Sequence, residues 1–248
     1  MTQNYPYTCS VCGVTTELHV IISMSMSGSA DLDLRPPEPY RSTMPYWVQT
    51  CPHCGFAAGE ISRDTSVTRE WLASEEYASL ADVIGDAPRS VLPALAREFY
   101  LASKCDLADG NDVDAGYSLM HAAWACDDAG DVAASFASRL RIMSAELFEG
   151  MLADVDAEEG DNDKKTLSIR FRLMDIDLLR RAGELDRAAE RCSETKRLLS
   201  TMECDRTLAL VTAYEQDLID KSDTDIHTVQ EAVEAETTLK DILEEISK

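Results

Sequence analysis

Two short cysteine motifs constrain this chain more than anything else in it. Cys9-Ser10-Val11-Cys12-Gly13 and Cys51-Pro52-His53-Cys54-Gly55 are both CxxCG knuckles, with 38 residues between Cys12 and Cys51. Two residues between cysteines let a tight turn aim both sulfurs at one point. The glycine that follows tolerates the left-handed backbone that closes the turn. Backbone N–H groups in such turns can also point at the sulfurs and stabilise negative charge there. Four thiolates close a tetrahedral shell at metal–sulfur distances of ~2.3 Å. The spacing therefore predicts one structural metal ion held by Cys9, Cys12, Cys51 and Cys54. Zinc is the default, because a filled four-cysteine shell is its usual structural site and it does no redox chemistry. A single iron in the same shell is the alternative, and it would carry electrons. With no open position the ion cannot activate water, which argues against metal-assisted hydrolysis. His53, inside the second motif, and His19 are read as non-ligands because four sulfurs already fill the shell.

The remaining cysteines, Cys105, Cys126, Cys192 and Cys204, are single and fall on helical segments. They read as small buried hydrophobes. Cys126 lies five residues after His121, but such a pair on one helix supplies neither an orienting group nor an oxyanion hole. Met1 to Tyr7 lacks the basic and apolar regions of a secretory signal, and no stretch approaches ~20 apolar residues. The expectation is a soluble, cytoplasmic protein with reduced thiols and no membrane contact.

The periodicity changes near residue 64. Before it, Leu18, Val20, Ile22, Met24 and Met26 alternate with His19, Ile21, Ser23 and Ser25, as in a half-buried strand. Ser27 to Pro45 carries three prolines in its middle and reads as an irregular loop; Tyr46 to Thr50 reads as a second strand. The aromatics Tyr5, Tyr7, Tyr46, Trp47 and Phe56 are expected to form a miniature core around the metal. No proline occurs after Pro93, so 155 residues run without one, which favours long helices. About eight amphipathic helices are expected, the first over Trp71, Ala78 and Ala81 and ending at Gly85. Gly116 in the third allows a close neighbour. The last is expected to start after Ser222 or Asp223 and to use Ile226, Val229, Val233 and Ile246. Ala129-Gly130-Asp131-Val132 and Ala182-Gly183-Glu184-Leu185 look like matching tight turns between antiparallel helices, the unit of tetratricopeptide-type stacks. Asp154 to Lys165 reads as a solvated acidic loop that fails the calcium-loop pattern. The fold expected is mainly α: residues 1–64 form a zinc-ribbon-like β module, and residues 65–248 an antiparallel helical-repeat domain.

Charge excludes some partners. The net charge is −23, and such a surface repels phosphate backbones; nucleic acid is not an expected partner of the whole chain. Residues 139–197 are nearly balanced, with 14 acids and 12 bases, between strongly acidic flanks. Their arginines (Arg139, Arg141, Arg170, Arg172, Arg180, Arg181, Arg187 and Arg191) could line a groove that grips carboxylates, or pair with interleaved acids at the surface.

The segments Tyr7-Thr8-Cys9-Ser10-Val11-Cys12-Gly13, Tyr40 through Met44-Pro45-Tyr46, and Cys51 through Ala58 resemble a bacterial family known as domain of unknown function 2225. Ala123-Trp124 and Leu178 through Gly183 are similar to its helical part, although Asp127 and Asp128 stand where a basic residue is expected. The resemblance implies a metal-bound N-terminal module, a helical-repeat body and no established activity. The knuckles are also similar to those of rubredoxin, an electron-transfer protein. No GxSxG, Walker-type loop, GxGxxG or HExxH occurs. The function expected is a zinc-stabilised, non-enzymatic scaffold that binds a protein or peptide; an iron electron carrier or a nucleic-acid contact by the ribbon are the alternatives.

Overall fold

A computed structural model describes residues 2–157, 162–201 and 205–236. The chain divides into two compact units, one built from residues 1–25 and 39–147 and the other from residues 26–38 and 148–248. Residue 64 is therefore not a boundary. The reason is a shared apolar cluster: Cys9, Cys51, Phe56 and Ile61 of the cysteine segment pack with Leu72, Tyr77 and Cys105 of the helical segment. A ribbon this small has too little apolar area of its own, and it completes its core with helices.

In the first unit, β1 (Thr2–Thr8) pairs antiparallel with β2 (Thr15–Ile21), Thr8 standing opposite Thr15. β3 (Gln49–Thr50) pairs in the same way with β4 (Ala57–Ala58), Thr50 opposite Ala57. β1 is a strand the alternation did not indicate. The strand expected over Tyr46 to Thr50 shrinks to β3, because Arg41–Tyr46 forms a 3-10 turn closed by the Trp47 N–H on the Met44 carbonyl. That turn also gives the end of the Ser27–Pro45 loop regular structure. The single helix expected before Gly85 is three: α1 (Arg69–Leu72), α2 (Glu75–Ala78) and α3 (Ala81–Ile84). Thr68 and Ser74 explain the breaks at α1 and α2, since their side chains accept the N–H groups of Trp71 and Tyr77 and cap new helices rather than extend an old one.

α4 (Ala94–Ala108) and α5 (Asp112–Asp128) form a tight pair. Pro93 stands just ahead of α4, where its missing N–H costs nothing. α6 (Ala134–Ala157) follows, and the division between units falls within it. Its Ser144 hydroxyl donates to the Gly116 carbonyl at 2.8 Å, the close approach that a glycine on α5 permits.

The second unit contains α7 (Asn162–Ala182), α8 (Leu185–Leu199) and α9 (Arg206–Asp220). Gly183 takes φ +86°, and the Glu184 N–H reaches back to the Leu179 carbonyl at 2.9 Å, so α7 and α8 are joined by the tight turn expected there. The turn after Asp128 is different, since Gly130 leads into a 3-10 turn at Asp131–Ala133 before α6 starts. The acidic stretch read as a loop from Asp154 to Lys165 is mostly helix, because α6 runs to Ala157 and α7 starts at Asn162; the residues between lie outside the described ones. The last helix starts at 229, later than expected. Thr228 and Glu231 cap it reciprocally, with the Thr228 hydroxyl accepting the Glu231 N–H and the Glu231 carboxylate accepting the Thr228 N–H. The carbonyls of Asp223 and Asp225 accept from buried Arg180 instead, which holds that segment out of a helix. Ile246 lies outside the described residues. Segment 26–38, which turns at Asp31–Arg35, packs here too, with its Leu32 N–H on the His227 carbonyl and the Val229 N–H on the Ala30 carbonyl.

Candidate metal centre

Each knuckle sits at the tip of one hairpin, and the two are built alike. In the first, the Cys9 N–H donates to the Val14 carbonyl at 3.0 Å and the Gly13 N–H to the Cys9 carbonyl at 2.8 Å. In the second, the Cys51 N–H donates to the Phe56 carbonyl at 2.8 Å and the Gly55 N–H to the Cys51 carbonyl at 2.9 Å. Gly13 and Gly55 have φ +73° and +79°, the left-handed conformation for which the sequence places glycine.

The four sulfurs of Cys9, Cys12, Cys51 and Cys54 all lie within 4.8 Å of one another. Cys9 Sγ is 3.6 Å from Cys54 Sγ, and Cys12 Sγ is 3.7 Å from Cys51 Sγ. Four sulfurs ~2.3 Å from a common centre at tetrahedral angles stand about 3.8 Å apart. The spacing thus fits one metal ion, while it is far too long for disulfide bonds of ~2.05 Å; all four cysteines are free. Burial pushes the Cys9 and Cys54 thiols up. A cation among the sulfurs would favour their ionised form, so metal binding would release protons.

The helices buttress both turns. The Tyr77 hydroxyl of α2 donates to the Gly55 carbonyl at 2.6 Å, and the Arg69 guanidinium of α1 donates to the Cys12 carbonyl. The Ser10 N–H reaches the Ile61 carbonyl at 2.9 Å, and the Gln49 side chain accepts the Ile61 N–H at 3.0 Å. Arg63 lies 5.6 Å from the centre of the Phe56 ring and forks onto Asp106 at 2.9 Å and Asp109 at 2.8 Å, at the end of α4. Burial works to raise Asp109, but hydrogen bonds from Thr65, Ser66 and Arg63 outweigh it and hold the carboxyl below its usual range. Burial dominates at Asp106 and pushes it up to about 6. None of these supports was legible beforehand, because their partners lie tens of residues away in the chain.

Other expected residues fall as follows. His19 and His53 are exposed, and neither joins the sulfur group. Cys105, Cys126 and Cys192 are fully buried, with burial pushing their thiols up to about 11, 12 and 11; Cys204 lies outside the described residues. The aromatic core around the cysteine cluster is narrower than expected. Phe56 is buried in it and Tyr7 packs against it, but Tyr5 and Tyr46 are exposed. Trp47 turns toward His121 and Trp124 instead, 5.3 Å and 6.4 Å between ring centres.

The arginine groove is corrected as well, because most of these arginines meet the protein's own acids. Arg180 is wholly buried between Asp177 and Glu215; Arg181 meets Asp33 at 2.9 Å, and Arg141 meets Asp127. Arg172 meets Glu194 at 3.2 Å, while Arg187 and Arg191 share Glu149. Arg139 donates to the Val83 carbonyl. Arg170 is exposed. The interleaved acids were the signal, and Asp177, three residues before Arg180 on one helix face, was the clearest of them.

A pair of cysteine hairpins resting on helices defines a mainly helical protein with a four-cysteine cluster that could hold a metal ion. The chain belongs to a bacterial family described as "Uncharacterized protein conserved in bacteria (DUF2225)", whose model matches residues 4–217. Neither a curated protein nor a solved structure matches it.

Proposed function

We propose that this chain is a non-catalytic scaffold in which one structural zinc ion pins the two hairpins and the helical part binds a peptide segment of a protein partner. Four sulfurs and no other donor suit zinc and leave it no position for water or substrate. The helix pairs α4/α5 and α7/α8 are read as units of tetratricopeptide type, which expose grooves between stacked helices. None of the described helices is long and apolar enough to cross a membrane.

The observation that carries the partner is a mostly apolar groove of about 370 Å³ between α9 and the helix at 229–236, lined by Leu210, Ala213, Tyr214, Ala232 and Ala235 with Asp217 and Glu236 beside them. Residues 198–248 carry 13 acids and 4 bases, so the occupant that fits is a cationic amphipathic peptide helix with small apolar anchors and flanking Lys or Arg. Metal analysis of the purified chain should find one zinc; a red preparation with one iron would replace zinc by the rubredoxin-like reading. Peptide display against the full chain should enrich apolar residues at helical spacing beside basic ones. Ala213→Arg with Ala235→Arg, both at exposed positions, should abolish that enrichment at unchanged zinc content. Enrichment of acidic peptides, or enrichment that survives both substitutions, would remove the groove.

A further inference from the structure

Beside the cysteine hairpins, within the first unit, lies a cleft of about 240 Å³ that the metal centre does not use. Trp47, Phe99, Tyr117 and His121 form much of its wall. Their rings are mutually packed, with Phe99 and His121 centres 5.2 Å apart and Tyr117 and His121 centres 6.5 Å apart. The remaining polar wall is mostly acidic, with Glu60, Asp106 and Asp114 against the single guanidinium of Arg63.

Arg63 is already spent. Its two terminal nitrogens sit on Asp106 at 2.9 Å and Asp109 at 2.8 Å, and Ser118 donates to Asp106 at 3.0 Å. Arg63 and Asp106 cancel within the cleft, which leaves Glu60 and Asp114 as its net charge. An anion would meet two carboxylates and no available guanidinium. A hard metal ion needs several oxygens converging on one point, and among the described residues the four cysteines are the only such group of ligand atoms. Ring faces carry the negative end of the aromatic quadrupole and attract cations, most strongly where water is excluded. The volume falls below the roughly 300–1,000 Å³ of sites for drug-sized molecules, so the occupant is small.

We propose that this cleft is a binding site for a small organic ammonium ion, a quaternary or primary amine held over the rings and neutralised by Glu60 and Asp114. The site is independent of the peptide groove, and neither proposal needs the other.

The test is calorimetric titration of the zinc-loaded full chain with choline and with putrescine, set against 3,3-dimethyl-1-butanol, the neutral carbon isostere of choline. Tryptophan emission, to which Trp47 contributes beside Trp71 and Trp124, is followed in parallel. At least one cation should bind about tenfold more tightly than the neutral isostere, with a change in emission. Glu60→Gln and Asp114→Asn should each weaken it severalfold, and the pair together about tenfold or more. Both side chains are exposed, so zinc content and helicity should not change. Absence of binding by both cations at millimolar concentration would overturn the proposal. So would equal binding of the isostere, binding indifferent to both substitutions, or preferential binding of an organic anion.

Discussion

Replacing Arg180 by Met tests the reading of the charged interior most severely. Arg180 is fully buried and donates in four directions: Nε to Glu215 at 2.8 Å, one terminal nitrogen to the carbonyls of Asp223 and Asp225 at 2.8 and 3.0 Å, and the other to Asp177 at 2.5 Å. Met fills much of the same space but strands two buried carboxylates and two carbonyls. Leaving a buried ionic partner uncompensated costs about 3–5 kcal/mol. For a chain of 150–250 residues, each kcal/mol lowers Tm by about 2–4 °C, so a fall of about 6–20 °C is expected. The pH dependence gives an independent check. Burial already raises Asp177 and Glu215 above their usual carboxylate values, and Arg180 opposes that rise. Without it both rise further, the folded state binds more protons than the unfolded one, and stability falls as pH rises. The deficit of Arg180→Met should therefore be largest at neutral pH and shrink toward pH ~5. Adding Asp177→Asn and Glu215→Gln should recover part of it. Thermal melts give the fall in Tm, and urea titrations followed by circular dichroism at several pH values give the rest. A loss below about 1 kcal/mol at neutral pH, or one that does not shrink on acidification, would refute the reasoning.

Three further outcomes are expected. Asp175 is buried, has Arg191 Nε 3.3 Å away and takes no hydrogen bond, and burial pushes it up to about 7. It thus costs stability progressively as pH climbs from its ordinary value of 3.8 toward 7; Asp175→Asn should flatten the profile in that window, measured by denaturant midpoints. Chelation should release one metal ion per chain and expose four reactive thiols, and Cys51→Ser should abolish stoichiometric metal uptake; a thiol titration with a colorimetric metal assay reads both. Gly183→Ala should cost about 1–2 kcal/mol, because φ is +86° although no atom stands within 4 Å of the new methyl group, and Gly183→Asn should cost less; thermal melts decide it.

The clustering of the four cysteines was legible because its geometry is local. A CxxCG turn places its own sulfurs, and the equivalent hydrogen bonds at Cys9 and Cys51 follow from that same local pattern. Most of the helices from α4 onward were legible for the same reason, as were the turn at Gly183 and the close neighbour at Gly116, although the acidic ends of α6 and α7 were read as a loop. Short-range competition was harder to weigh. Ser74 and Thr68 are polar residues in an otherwise helical pattern, and only their capping geometry shows that they divide it.

From its residues alone, the chain determined that four thiols would converge and that a mainly helical body would follow them. Tertiary structure decided which surfaces remain available. It consumed the arginines on Asp33, Asp127, Glu149, Asp177 and Glu215, drew residues 26–38 into the second unit, and tied the hairpins to α1, α2 and α4. The division has a physical basis: turn and helix preferences act over a few residues, whereas a buried charge takes whichever partner the folded chain brings beside it, and spacing along the sequence does not record that choice.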